Sequence, residues 1–124
     1  MRSATRFMLS EAGRDALLGI PENAEAARDF VAGMSFATLE ADRRTVYAVT
    51  RCLEIISEAS RRVDADTRTR HPHIPWRQIA DAGNVYRHRY KSVSAALIWR
   101  TVHDRMADIV VLCRTELRQS DASS

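Results

Sequence analysis

The sequence is poor in the residues that break helices or build disulfide frameworks. Its 124 residues include only four glycines, three prolines and two cysteines, and no apolar run approaches the roughly 20 residues that a membrane-spanning helix needs. Cys52 and Cys113 stand far apart, with neither a CxxC pair nor a Cys/His cluster, so neither a disulfide framework nor a zinc site is predicted. The charged N-terminus, MRSATRFMLSEAGRD, lacks the apolar stretch of a secretory signal. We therefore expect a cytoplasmic protein of one domain, residues 1–124, with no membrane association, metal or other cofactor.

Lysine is also scarce, so the basic charge rests on arginine. The formal net charge is +3, and eighteen arginines accompany a single lysine. Residues 1–50 carry six arginines against seven acids, a balance of −1, whereas residues 51–124 carry thirteen basic residues against nine acids, a balance of +4. Because a guanidinium binds phosphate through two N–H groups, this basic half favours a phosphate-bearing partner such as RNA. A GC-rich genome is the alternative explanation for the arginine bias.

Apolar residues recur at helical spacing, and no run of alternating polar and apolar residues of strand length is present. Val46, Val49, Leu53, Ile56 and Val63 follow one another at steps of three and four, with Ser60 in the single gap, which predicts a long helix with a wide buried face. The whole chain is predicted to be an all-α bundle of four or five helices. The other predicted elements are a short N-terminal helix within residues 1–20, a helix opening at Pro21, a helix from near Pro75 to about Tyr86, a last helix capped by Ser92 or Ser94, and a frayed tail at 119–124.

The stretch GNVYRHRY, residues 83–90, contains the candidate site. On a helix, Asn84 and His88 are four residues apart and share one face. A histidine can accept and return a proton near neutral pH, and RNA supplies its own nucleophile, the 2′-hydroxyl. His88 with Arg87 or Arg89 therefore offers a base and a cation for RNA cleavage without a metal. The alternative is a surface helix end whose cations are favoured only by the helix dipole.

Three long segments carry a resemblance to a known family. From RDFVAGMSFATLEADRRTVYAVTRCLEIISEASRRV through RHPHIPWRQIADAGNVYRHRY to ALIWRTVHDRMADIVVL, about residues 20–115, the chain resembles the HepT-like branch of the HEPN superfamily. The most specific pieces are LEIISEAS (53–60), RHPHIPWRQIA (70–80) and the Asn84, His88 and Tyr90 framework. The resemblance implies a compact helical protein that forms a homodimer through its helices and brings two motifs together in a basic cleft.

The resemblance also implies an activity and a partner. HepT proteins are toxins that cut RNA without metal, and small nucleotidyltransferases act as their antitoxins by attaching AMP to the motif tyrosine, here matched by Tyr90. The family signature places an arginine four to six residues before the histidine, which corresponds to Gly83, Ala82 or Asp81. None of these is an arginine. Gly83 stands where the arginine usually precedes the asparagine.

This departure leaves more than one function open. The leading hypothesis is an endoribonuclease toxin, and the alternatives are a non-catalytic adaptor for a nucleotidyltransferase and a plain nucleotide- or RNA-binding dimer. Glu58 could orient an arginine at the cleft or merely pair with Arg62 one turn on. Trp76 is expected to be a buried anchor, and His71 to be exposed. For the leading hypothesis the expected residues are His88, Arg87 and Asn84 as the catalytic set, Arg89, Lys91 and Arg77 for RNA phosphates, and Tyr90 for modification.

Overall fold

Six α-helices form the part of the chain that the computed structural model describes, residues 8–88 and 94–123, without the side chains of residues 88 and 123. Four of the helices are long, and the other two, α2 and α4, have six residues each. No strand occurs within these ranges. The predicted all-α class is confirmed, and the short helices α2 and α4 raise the described number to six, above the four or five that were predicted. The helices are α1 (Glu11–Val31), α2 (Phe36–Ala41), α3 (Arg43–Ser60), α4 (Ala65–Arg70), α5 (Trp76–His88) and α6 (Ala95–Ser123).

The first helix runs without interruption through Pro21, so the predicted boundary between two helices at this residue was wrong. A proline inside a helix removes one backbone hydrogen bond. Here Pro21 is buried, as are its helix neighbours Ile20 and Ala24, and the Asn23 side chain donates a hydrogen bond to the Gly19 carbonyl at 3.0 Å. We attribute the continuity of α1 to this packing, since burying one large aliphatic side chain stabilises by about 1.5–3 kcal/mol.

The core lies where α1 packs against both α3 and α6, and α5 packs against α3. The predicted stripe on α3 faces this core, since Val49, Leu53 and Ile56 are no more than 3% exposed. Ser60, which interrupts the stripe, is also buried, and its hydroxyl donates to the Ser57 carbonyl at 2.6 Å. The hydrogen bond explains how a polar residue is accommodated in an apolar stripe.

The last helix begins after Ser94, whose hydroxyl accepts a hydrogen bond from the Leu97 backbone N–H at 3.1 Å. This confirms the second of the two predicted caps. The helix continues to Ser123, so the prediction of a frayed tail at 119–124 was wrong for residues 119–123. An ion pair between Asp121 and Arg14 at 3.0 Å ties the end of α6 to the start of α1, and this contact between distant residues is not visible in the sequence.

The connector between α4 and α5 is fixed to α6 by a buried carboxylate. Glu116 is 3% exposed and accepts hydrogen bonds from Arg70 at 2.5 and 3.2 Å, and its second oxygen lies 2.7 Å from His71 Nε2. Burial by itself raises the pKa of Glu116, but the bonds to Arg70 and His71 outweigh it and hold this pKa below its ordinary value. His71 is therefore an interior contact, and the expectation that it is exposed was wrong. Trp76 anchors the same connector by donating its indole N–H to the His71 carbonyl at 3.0 Å.

Candidate functional site

The second half of α5 approaches α3 more closely than a side chain would allow. Gly83 is buried, and a β-carbon placed on it would lie 2.4 Å from the Ser57 hydroxyl oxygen and 3.1 Å from the Ser57 β-carbon. The Ser57 hydroxyl is held in place because it donates to the Ala80 carbonyl at 3.0 Å. Arg61 donates to the same carbonyl at 2.7 Å. Position 83 is therefore a helix–helix contact at which only glycine fits without a shift of the neighbours.

The guanidinium of Arg87 lies beside Gly83, where α5 has no side chain. Its Nη2 donates to the Asn84 side-chain oxygen at 2.9 Å, and its Nη1 is 3.7 Å from the position of a β-carbon on Gly83. The side chain thus folds back toward the preceding turn of its own helix. Arg87 therefore places its positive charge next to position 83. This is the position at which the signature of the resembled family has an arginine.

Glu58 on α3 faces the same guanidinium. Its carboxylate lies 3.8 Å from Arg87 and 3.5 Å from Arg62. The Glu58 side chain is 54% exposed and that of Arg87 is 36% exposed, so each pair is weak and easily displaced by another anion. The structure therefore contains both arrangements expected for Glu58, the contact with an arginine of the candidate site and the i,i+4 pair with Arg62.

His88 is the last residue of α5 and follows Arg87 directly. The Asn84–His88 spacing lies entirely within the helix, so both residues belong to one helix face, as predicted. Arg89, Tyr90 and Lys91 lie outside the described residues, as does the His88 side chain. Of the predicted catalytic set, the structure brings Asn84 and Arg87 into contact and places His88 at the adjoining end of the helix.

Arg77 is not brought to this end of the helix. It lies in the first turn of α5, ten residues before Arg87, which corresponds to about 15 Å along the axis. Its side chain is exposed. Arg77 therefore does not join Asn84 and Arg87 at the C-terminal end of α5.

An open groove runs between α3 and α5 on the side of Arg87. Its volume is about 360 Å³, and we call it the α3–α5 groove; its lining residues are Tyr47, Thr50, Arg51, Glu54, Tyr86 and Arg87. Tyr86 forms part of its floor and is 6% exposed, and burial raises the pKa of its phenol. Tyr86 therefore remains a neutral group in the groove at physiological pH. The two arginines outnumber the one acid, so the lining carries net positive charge.

A second, apolar cleft lies between α5 and α6, and Tyr86 lines both this cleft and the α3–α5 groove. Its volume is about 320 Å³, and we call it the α5–α6 cleft; Leu53, Ile56, Ile79, Val85, Leu97 and Met106 are among its lining residues. Val85 is 39% exposed there. The last turns of α5 thus contribute side chains both to a cationic groove and to an apolar cleft.

The described ranges contain neither a candidate membrane span nor a candidate metal site. No helix in them is long and apolar enough to span a bilayer. No group of three or more His, Cys, Asp or Glu residues that could hold a metal ion occurs in the same part of the chain. The two cysteines are free and buried, and burial raises the pKa of the Cys113 thiol to about 12.

The fold and the end of α5 define a class of small helical protein with a cationic, histidine-bearing helix end. The sequence model of the family described as "Ribonuclease HepT-like" matches residues 20–115, a span that contains all of α3 and α5. The chain belongs to this HepT-like family.

Two relatives illustrate the similarity. A protein of Thermococcus cleftensis named "Probable ribonuclease HepT" is 36% identical over 91 residues, which cover 73% of this chain and 83% of the relative. A protein of Methanocaldococcus jannaschii, whose name proposes an RNase, is 31% identical over 93 residues, covering 75% of this chain and 85% of the relative. No solved structure matches the chain.

Proposed function

We propose that the protein is a metal-independent endoribonuclease that acts as a homodimeric toxin in the cytoplasm. The observation that carries this proposal is the position of the Arg87 guanidinium, which lies over the Gly83–Asn84 turn of the helix that ends at His88. The site thereby retains a cation at the place of the missing signature arginine. Membership of the HepT-like family and the names of the two relatives support the same reaction.

In the proposed reaction the RNA attacks itself. His88 of one subunit takes the proton of a 2′-hydroxyl, and the oxygen forms a bond to the neighbouring phosphorus. The bond from phosphorus to the 5′-oxygen breaks, and His88 of the partner subunit gives a proton to that leaving oxygen. The products are a 2′,3′-cyclic phosphate and a 5′-hydroxyl, and no other reactant is consumed. General acid–base catalysis of this kind contributes about 10²–10⁴-fold.

Arg87 stabilises the extra negative charge on the phosphate as the new bond forms. Asn84 holds the guanidinium through its side-chain oxygen, so we assign Asn84 to the positioning of Arg87. Glu58 occupies the free side of the guanidinium at 3.8 Å in the absence of RNA, and an entering phosphate displaces this exposed and weakly bound carboxylate. Arg89 and Lys91 add positive charge in the segment that follows.

Dimerisation is proposed through the α5–α6 cleft. The cleft is lined mainly by apolar side chains beside the helix that carries the site, and Val85 of that helix is 39% exposed. A second copy would cover this apolar surface and bring its own α5 alongside, since a two-fold interface is formed by the same surface on both subunits. The two His88 residues would then belong to one cleft.

The proposed antitoxin is a small nucleotidyltransferase that transfers AMP to Tyr90. The phosphate of AMP would introduce negative charge beside a pocket that binds phosphate, and its bulk would exclude RNA. The family resemblance supports this partner. Loss of toxicity on co-expression, together with a mass increase that is abolished by Tyr90→Phe, would establish it.

The test of the nuclease is RNA cleavage in EDTA by the purified protein and by His88→Ala. We expect His88→Ala to lose at least about 100-fold in rate, whereas His103→Ala, which removes an exposed histidine on α6, keeps the wild-type rate. Wild-type products should end in a 2′,3′-cyclic phosphate. Equal cleavage by the wild type and His88→Ala would refute the assignment, because the activity would then come from another source.

The second candidate is a non-catalytic adaptor that binds a nucleotidyltransferase. The Glu58–Arg87 contact favours it, because a carboxylate on the guanidinium opposes the binding of a phosphate. An adaptor predicts no growth arrest when the gene is expressed without the partner, and no cleavage by any variant. RNA binding that weakens steeply with salt, without cleavage, would instead indicate a plain RNA-binding dimer.

A further inference from the structure

We propose that Tyr47 and its two neighbouring arginines on α3 form a stacking subsite for an RNA base next to the cleaved phosphate. This inference rests on the proposed function, because it takes RNA as the substrate. It extends the site from α5 onto α3, along the α3–α5 groove.

The subsite begins with an exposed aromatic ring between two cations. Arg43, Tyr47 and Arg51 follow one another at steps of four residues, so they form one stripe along α3. The Tyr47 side chain is 51% exposed, and Arg51 is 69% exposed. An exposed tyrosine flanked by arginines offers a flat surface for a base together with charges for the phosphates on either side, which is how many proteins hold single-stranded nucleic acid.

Arg43 keeps the tyrosine ring in place. The centre of its guanidinium lies 5.7 Å from the ring centroid, within the range of a cation–π contact. Its Nε also donates to the Tyr47 hydroxyl oxygen at 3.3 Å. The ring therefore has a fixed partner on one side, and a base can stack on the exposed ring or on the guanidinium plane beside it.

The α3–α5 groove links this surface to the proposed cleavage site. Tyr47 and Arg51 line it at one end and Arg87 lines it from α5. Its volume of about 360 Å³ is within the range of pockets that bind small ligands. A phosphate at Arg87 would thus place an adjoining nucleotide in the groove, within reach of the Tyr47 ring.

Glu54 is the one acid that lines the groove. It lies 2.5 Å from Arg51 and is paired with it. The Glu54 side chain is only 19% exposed, whereas that of Arg51 is 69% exposed, so the guanidinium is the part of the pair that an incoming phosphate meets first. Arg43, Arg51 and Arg87 together leave the path from α3 to α5 positively charged.

The experiment measures binding of a short single-stranded 2′-O-methyl RNA, which has no free 2′-hydroxyl and so cannot be cleaved by the proposed reaction. Fluorescence anisotropy is recorded for the full-length protein and for Tyr47→Ala, Tyr47→Phe and Phe30→Ala. Phe30 is 47% exposed on α1 and is the matched control for the loss of an exposed aromatic ring. We expect about tenfold weaker binding for Tyr47→Ala and wild-type binding for Tyr47→Phe and Phe30→Ala.

A cleavage measurement separates this subsite from the catalytic groups. On cleavable RNA, Tyr47→Ala should raise the half-saturating RNA concentration about tenfold and keep the maximal rate within threefold, whereas Arg87→Ala should lower the maximal rate. Wild-type RNA binding by Tyr47→Ala overturns the proposal, and so does a loss of binding to a nucleotidyltransferase with RNA binding intact. A wild-type protein that does not cut RNA, with Tyr47→Ala still weakening RNA binding, would refute the proposed nuclease and leave the subsite standing.

Discussion

Replacing Gly83 with alanine tests the close contact between α5 and α3. In an open helix this change stabilises a protein by about 1 kcal/mol, because alanine has the higher helix propensity. At Gly83 the added carbon would lie 2.4 Å from the Ser57 hydroxyl oxygen, and Ser57 is 2% exposed and bonded to the Ala80 carbonyl. Such overpacking costs about 1–3 kcal/mol. We therefore expect a net loss of about 1 kcal/mol in the free energy of unfolding, where propensity alone predicts a gain.

The control is the same substitution at Gly19, in the middle of α1. A β-carbon at Gly19 would meet nothing within 4 Å, so Gly19→Ala should stabilise the protein by about 0.5–1 kcal/mol. Both variants are unfolded in urea and followed by circular dichroism at one protein concentration, because the stability of a dimer depends on concentration. A Gly83→Ala variant as stable as Gly19→Ala would refute the proposed steric conflict.

A double-mutant cycle assigns the conflict to its partner. Ser57→Ala removes the nearest atom but leaves the β-carbon at 3.1 Å. In the Ser57→Ala background, Gly83→Ala should lower the free energy of unfolding by a smaller amount, with a coupling energy between the two substitutions of at least about 0.5 kcal/mol. Gly83→Arg, which would restore the family signature, should be more destabilising than Gly83→Ala. The longer arginine side chain starts from the same β-carbon position against Ser57.

Three further predictions follow from other contacts. Glu116→Gln should lower the free energy of unfolding by about 2–3 kcal/mol near neutral pH. Because Arg70 and His71 hold the pKa of Glu116 below its ordinary 4.5, the wild type should lose this extra stability as the pH falls below about 4.5, as measured in acid titrations of unfolding. A stability difference between the two proteins that stays unchanged at low pH would contradict this. Val85→Glu should convert the dimer to a monomer in analytical ultracentrifugation and abolish cleavage, and a wild-type monomer would refute the interface. Cys52 and Cys113, both buried, should react with a thiol reagent only on unfolding, because burial raises both thiol pKa values; rapid labelling of the native protein argues against this.

The sequence predicted the long helices well, because their burial pattern is periodic. Ile98, Val102, Met106, Ile109 and Cys113 step along α6 by three or four residues, and all are buried. The errors arise where a contact between distant residues decides the outcome. The ion pair at the end of α6 and the His71–Glu116 bond both join residues that only the folded chain brings together, and Pro21 lies buried inside the uninterrupted α1.

The candidate site was also predictable only in part from the sequence. Asn84 and His88 could be placed on one helix face from their spacing alone. The position of the Arg87 guanidinium could not, because a step of one residue turns a helix by about 100°. Its return toward position 83 depends on the bare glycine there and on the Asn84 oxygen. Tyr47 was missed because it precedes the motif by about forty residues and no short pattern in the sequence links the two.

The most direct test of the account is the single-turnover rate of RNA cleavage by Arg87→Ala, compared with Arg114→Ala. Arg114 is also an exposed arginine with one acidic partner, Glu25 at 2.7 Å, but this pair joins α1 and α6. We expect a loss of about 10²–10³-fold for Arg87→Ala and a rate within about threefold of the wild type for Arg114→Ala, with both proteins folded. Wild-type cleavage by Arg87→Ala would contradict the claim that this residue supplies the charge of the missing signature arginine.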